Sequence, residues 1–290
     1  MSGIARSNTA GRRALTALIA PLALGLALAG CGLPPRDRVD KDRLNADIDH
    51  SIGGLGTCVI LLDTQSGRKV YQYGKYDICS GHLPPCETFE PVAALIGLDA
   101  GLITPQTVIQ WDGSPQLTRA WQVDANLPQA FASSNGYWFG QLSRQIGRAR
   151  YVAALRDYDY GQKLPVGAIT SFWQGPAQQG GLGISPAEQA GFMRRLFAGK
   201  LKAKPQSLQL VEALMAGETR GQAQISAVAG SCADQADRGR GVGWWTGRLK
   251  SPGRDLTFAA AVESAEPPPG SEVALNLKAI FSDVGLWPPN

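Results

Sequence analysis

Cys86-Glu87-Thr88-Phe89-Glu90-Pro91-Val92-Ala93-Ala94-Leu95-Ile96-Gly97-Leu98-Asp99-Ala100-Gly101-Leu102-Ile103 opens with two acids and continues as an apolar run. Ala93, Ala94, Leu95, Leu98 and Leu102 recur at helical spacing, which predicts a helix beginning near Glu87, just after the Pro84-Pro85 break. Upstream, Cys58–Asp63 is apolar and β-branched, Gln65-Ser66-Gly67 supplies a turn, and Lys69–Tyr73 alternates, so the pair reads as a β-hairpin. Downstream, residues 116–221 read as mostly helical, with stripes at Phe139/Leu142/Ile146, Ala187–Phe197 and Leu208–Met215. Ser185-Pro186 starts the second stripe as an N-cap followed by proline in the first turn. The residues 224–229, 242–249 and 256–263 return to strand, and Val273–Val284 closes the chain as a helix. Two strands, a helical block, three strands and a helix predict an α+β fold. Its central antiparallel sheet is flanked by helices and interrupted by an inserted all-helical subdomain at about 116–221.

The chain has 290 residues, 44% of them hydrophobic, enough for one sizeable core. Its formal charge of +4 is misleading. Arg6, Arg12 and Arg13 lie in the first 30 residues, which carry no acid, and the remainder has 25 basic and 24 acidic residues. A near-neutral body gives no electrostatic basis for a nucleic-acid partner. The arginines precede an apolar run, Ala14 to Ala29, and then Leu28-Ala29-Gly30-Cys31. That order resembles a lipoprotein signal peptide (1–30) cleaved before a lipidated Cys31; the run is shorter than the ~20 residues of a membrane span. Residues 31–54, polar and charged, read as a tether, helical near its end, with the folded domain at 55–290. The protein is therefore expected on a bacterial envelope membrane through Cys31, facing the periplasm. Gly32 after the lipidated cysteine favours the outer membrane.

Four cysteines remain: Cys58, Cys79, Cys86 and Cys232. In an oxidising compartment an even count reads as two disulfides, with three connectivities open. The competing zinc reading has only His50 and His82 to draw on and no Cys-x-x-Cys, so neither metal nor cofactor is expected.

From about residue 55 to 287 the chain resembles the class D, oxacillinase-type serine β-lactamases and their penicillin-binding relatives. The resemblance rests on Leu95–Ile103, Trp111-Asp112-Gly113, Phe172-Trp173, Ile184-Ser185-Pro186 with Gln189, and Gly243-Trp244-Trp245-Thr246-Gly247 in their order and spacing. It implies a β-lactamase/transpeptidase-like fold. It also implies a serine nucleophile with a lysine three residues on, a Ser-x-Val motif and a Lys-Thr-Gly strand. Here the serine position is Glu87, the lysine position Glu90, and the Ser-x-Val position Ser134-Asn135-Gly136. Tyr160-Gly161-Gln162 stands for Tyr-Gly-Asn, and Val228-Ala229-Gly230 for Lys-Thr-Gly; no anchoring arginine is found. Proteins of this fold bring the positions of Cys86 and Cys232 together, and some class A carbapenem-hydrolysing β-lactamases bridge them. The resemblance thus implies Cys86–Cys232, leaving Cys58–Cys79.

These replacements set the expectations. A carboxylate is a poor nucleophile, and nucleophile and base act as a unit, so losing either costs factors of ~10⁴ or more. Two acids in place of cations repel an anionic substrate. At a helix N-terminus, Glu87 and Glu90 are stabilised as anions and are expected to titrate as a coupled pair. Three roles stand open: capping or pairing with Arg238 or Arg240, binding a ligand, and acid–base catalysis. Ser134 reads either as an N-cap beside Ser133 or as a retained ligand contact. Glu87, Glu90, Ser134, Asn135, Tyr160 and Gly230 are candidates to line a cleft; Tyr160-Gly161 also reads as a turn positioning the helical region. Thr88 points about 100° away from the serine direction and is not expected to replace it. The functional expectation is a non-catalytic binding or scaffold protein of the envelope, with a wall component or envelope protein as partner. The alternatives are a wall hydrolase using the Glu87/Glu90 pair, or residual β-lactamase or transpeptidase activity.

Overall fold

A computed structural model describes residues 39–54, 56–175, 181–233 and 241–289. The signal-peptide and Cys31 readings lie outside the described residues, as do Arg238 and Arg240.

The described elements run α1 (Lys41–Ser51), β1 (Thr57–Asp63), β2 (Lys69–Tyr73), α2 (Tyr76–Ser80), a 3₁₀ turn (Cys86–Phe89), α3 (Glu90–Asp99), α4 (Leu127–Ala132), α5 (Gly136–Ile146) and α6 (Arg148–Asp157). They continue with α7 (Pro186–Phe197), α8 (Pro205–Leu214), β3 (Ala216–Arg220), β4 (Ala223–Ala233), β5 (Gly241–Ser251), β6 (Arg254–Ser264) and α9 (Gly270–Asp283). The strands form one sheet in the order β2-β1-β6-β5-β4-β3, with antiparallel neighbours throughout.

Consecutive side chains on a strand face opposite sides, so each strand feeds two cores. Trp245 joins Phe258 and Phe281 in the layer closed by α9 and α1. Trp244, its neighbour, turns to the helical layer and donates its indole N–H to the Pro84 carbonyl at 2.9 Å. On β4, Ile225 belongs to the α9 side, whereas Val228 packs toward the helices. α3 runs through that second core with every residue from Glu90 to Leu98 buried. A helix with no polar face is one enclosed on all sides, and only Glu90 breaks its apolar surface.

Several boundaries differ from the sequence expectation. Residues 41–51 are not tether: Leu44 and Ile48 are fully buried beneath α9, and Asp40 caps α1 by accepting the Arg43 amide. The helical block ends at α8, because Ala216–Arg220 pairs with β4 as a short edge strand. The Ser185 cap is present as a capping box, its hydroxyl accepting the Glu188 amide. The disulfides join Cys58 to Cys79, tying β1 to α2, and Cys86 to Cys232, tying the 3₁₀ turn to β4; their Cα separations are 5.3 and 5.7 Å.

Candidate functional site

Pro84-Pro85 cannot continue β-structure or an earlier helix, and the chain re-enters order at Cys86, whose amide donates to the Trp173 carbonyl at 3.0 Å. Cys86 has φ 52°, a left-handed conformation that a non-glycine residue holds at a cost of about 1–3 kcal/mol. The disulfide to Cys232 fixes it there. The turn that follows lies against the edge of β4. β3 pairs with β4 only between Ala223 and Ser226, so the edge beyond is open for other partners. There the amide of Ser231 donates to Glu87 Oε2 at 2.7 Å.

Gly230 makes this approach possible. A Cβ at residue 230 would sit 2.8 Å from the Glu87 amide nitrogen and 3.0 Å from both Glu87 Oε2 and the Thr88 nitrogen. Packing alone therefore accounts for glycine here, whatever chemistry the site performs.

Burial, first of all, raises the pKa of Glu87; the Ser231 amide and its own amide oppose the rise by bonding the charged form. One backbone N–H, that of Ser231, is thus aimed at the Glu87 carboxylate as an oxyanion-hole donor is aimed at a negative oxygen. Glu90 is 3% exposed, and its pKa is pushed well above the usual carboxylate range by burial and then by the neighbouring Glu87 charge. The Ser134 side chain, as a hydrogen-bond partner, offsets this only in part. Glu90 Oε2 has no hydrogen-bond partner among the described residues. Two carboxyls coupled this way in a poorly solvated site disfavour the doubly charged form and titrate as a pair.

The capping role does not hold. Pro85 and Phe89 occupy the N-cap positions of the turn and of α3, and neither provides a side-chain cap. Glu87 reaches across to β4 instead. Ser134 is not an N-cap either: it sits at φ 43° between two helices, and Asn135 caps α5 by accepting the Trp138 amide at 3.0 Å. Two cleft candidates are enclosed rather than cleft-lining. Asn135 is fully buried by its capping role. Tyr160 is fully buried with its ring 5.8 Å from Phe89 and 4.9 Å from Phe192, and burial drives its hydroxyl pKa well above the ordinary value. Its neighbour Gly161 does form a turn, after which the Gln162 amide bonds the Gly183 carbonyl. Thr88 is buried with its hydroxyl donating to the Pro85 carbonyl. Val228 is buried in the helical-side core. Ser231 was not legible in advance: it lies 144 residues from Glu87, and it is its backbone, not its side chain, that takes part. Among the described residues no group of three or more His, Cys, Asp or Glu is placed to hold a metal ion, and no helix is long and apolar enough to cross a membrane.

Sheet, buried α3, strained turn and β4 edge together define a β-lactamase/transpeptidase-like domain. The chain matches the penicillin binding protein transpeptidase domain over residues 57–284 and belongs to that family. It is 34% identical over 164 residues to the β-lactamase OXA-48 of Klebsiella pneumoniae, covering 56% of this chain and 59% of that protein. To the β-lactamase OXA-10 of Pseudomonas aeruginosa it is 30% identical over 176 residues, covering 60% and 65%. The matched region thus spans less than two thirds of either relative. Among solved structures, the BPu1 β-lactamase superposes with a TM-score of 0.73 at 22% identity, covering 84% of this chain and 98% of that one, a likeness of fold.

Proposed function

We propose that this family member is non-catalytic, and that it serves as a lipid-anchored binding or scaffold protein facing the periplasm. The observation that carries the reading is the Glu87 carboxylate, at the serine position of the family motif, accepting the Ser231 amide at 2.7 Å. Acyl transfer needs a deprotonatable hydroxyl and two vacant donors for the carbonyl oxygen as it becomes an oxyanion. At the serine position of the family motif this chain has an acid, and that acid itself takes up the Ser231 amide. A substrate carbonyl would have to displace an internal carboxylate, and an anionic substrate would approach a charged Glu87 with no cation beside it among the described residues.

Intact-mass analysis after incubation with a panel of penicillins and carbapenems is expected to show no covalent adduct; a stoichiometric adduct overturns the reading. The anchoring is tested separately. Labelled fatty acid should enter the wild-type chain and not Cys31→Ser, with the modified protein in the outer-membrane fraction. The partner expected on this reading is a wall component or an envelope protein.

The raised pKa values of Glu87 and Glu90 favour a second reading, a wall-glycan or wall-peptide hydrolase with one carboxyl protonated and one charged. Purified wall fragments left unchanged after long incubation exclude it; turnover abolished by Glu87→Gln in a folded protein supports it.

A further inference from the structure

On the helical side lies a cavity of about 320 Å³, within the range of small-molecule sites. Its floor is one face of α5: Tyr137, Gln141 and Arg144 recur at helical spacing, each of the first two preceded by a glycine, Gly136 and Gly140. Gly136 shapes it. A Cβ at residue 136 would come within 2.8 Å of the six-membered ring of Trp121, so bare backbone there lets Trp121 close on the helix as a wall. The cavity adjoins the Glu87 site through the chain itself, since Gly136 follows Ser134-Asn135 and Gln174 follows Trp173.

We infer that this cavity is a binding site for an uncharged saccharide. Two aromatic rings, Trp121 and Tyr137, line it. The negative face of an aromatic ring attracts the weakly positive C–H face of a pyranose. Around them stand planar amides, including Gln141 and Gln174, for which no hydrogen bond is formed among the described residues. Each amide offers both donors and an acceptor, which suits a ligand whose hydroxyls are donor and acceptor at once. The charged groups at the cavity, Asp112 and Arg144, are one of each sign, so the site as a whole favours neither anion nor cation. A peptide ending in a carboxylate gains from Arg144 and loses to Asp112. An acyl chain is excluded by the density of polar groups. The site does not depend on the chemistry at Glu87.

The test uses the folded chain with tri-N-acetylchitotriose as probe and D-alanyl-D-alanine as the charged comparison, followed by saturation-transfer NMR and calorimetry. Saturable chitotriose binding is expected with a Kd of about 1 mM or tighter, barely changed by ~0.5 M NaCl, because no net charge is neutralised. Gln141→Ala, at a half-buried position without a hydrogen bond, should weaken binding by roughly fivefold with an unchanged melting temperature, and Trp121→Ala should weaken it further. Absence of saturation, binding untouched by both variants, or tighter binding of the dipeptide at the same residues each overturns the assignment. A β-lactam adduct would sink the non-catalytic reading and leave this pocket standing, whereas failed saccharide binding would do the reverse.

Discussion

The carboxylate of Glu87 and the backbone amide of Ser231 are 2.7 Å apart, although 144 residues separate them in the chain. This contact does more than close a gap between a turn and a strand edge. It satisfies an edge amide that β3 is too short to reach, and it gives a half-desolvated carboxylate a backbone donor. A carboxylate held by a charge-assisted bond to a backbone N–H resists displacement by a competing carbonyl.

Removing the carboxylate should expose the Ser231 amide. Glu87→Ala leaves the Ser231 amide without its acceptor and is expected to lower stability by about 1–3 kcal/mol. Small carboxylates should then replace the missing group. Acetate at about ten times its Kd should return ~1.4 kcal/mol, roughly 3 °C in melting temperature, to the variant and nothing to the wild type. Equal acetate effects on both proteins would mean that the freed Ser231 amide does not act as an anion site.

Glu90 should make the protein less stable as the medium becomes more alkaline. Its folded pKa is raised above the ordinary value of 4.5, mainly by burial and then by Glu87. Its contribution is therefore fully present below that value and is lost as pH rises through the folded pKa. Glu90→Gln, isosteric with the protonated acid, should melt higher than the wild type at pH 8 and approach it near pH 4.5. Urea unfolding across that range measures both curves; parallel curves would show that Glu90 does not titrate in the fold.

The elements that could be read in the sequence are those whose pattern is local. The hairpin of β1 and β2, the Ser185-Pro186 start of α7 and the stripe of α5 each carry their own signal. β3 does not. Ala216-Gly217-Glu218-Thr219-Arg220 lacks alternation and exists as a strand because β4 offers it an edge. α1 reads as polar because only Leu44 and Ile48 of its eleven residues are buried, and their partners lie at the far end of the chain. At the site, the family resemblance marked the positions of Glu87 and Glu90. Which atom each carboxylate meets is set by long-range packing. Asn135, the residue with extended backbone before α5, took the cap role that neighbouring Ser133 and Ser134 also advertised, because Ser134 is held in a left-handed conformation.

Gly230→Ala should destabilise the fold by about 2 kcal/mol, the usual scale of overpacking. The new methyl would meet backbone nitrogen of the turn at 2.8 and 3.0 Å, and no side-chain rotation relieves a backbone contact. The turn must retreat from β4, which stretches the Glu87–Ser231 bond. Amide hydrogen exchange at Ser231 should therefore accelerate in the variant. Unchanged stability and exchange would remove the packing explanation for this glycine.

The Cys86–Cys232 disulfide should matter more than the Cys58–Cys79 one, for two separable reasons. In the chain-entropy account its sequence separation of 146 against 21 makes it worth about 5 kcal/mol rather than about 3. It also flanks the Glu87–Ser231 contact on both elements, holding Cys86 at its left-handed φ and Cys232 one residue beyond Ser231. Replacing Cys86 and Cys232 by alanine should therefore cost more than replacing the other pair. Part of that cost should vanish in a Glu87→Ala background, because the staple and the hydrogen bond hold the same two elements together. A double-mutant cycle by urea unfolding gives the coupling; additive losses would show that the staple acts on the unfolded chain alone.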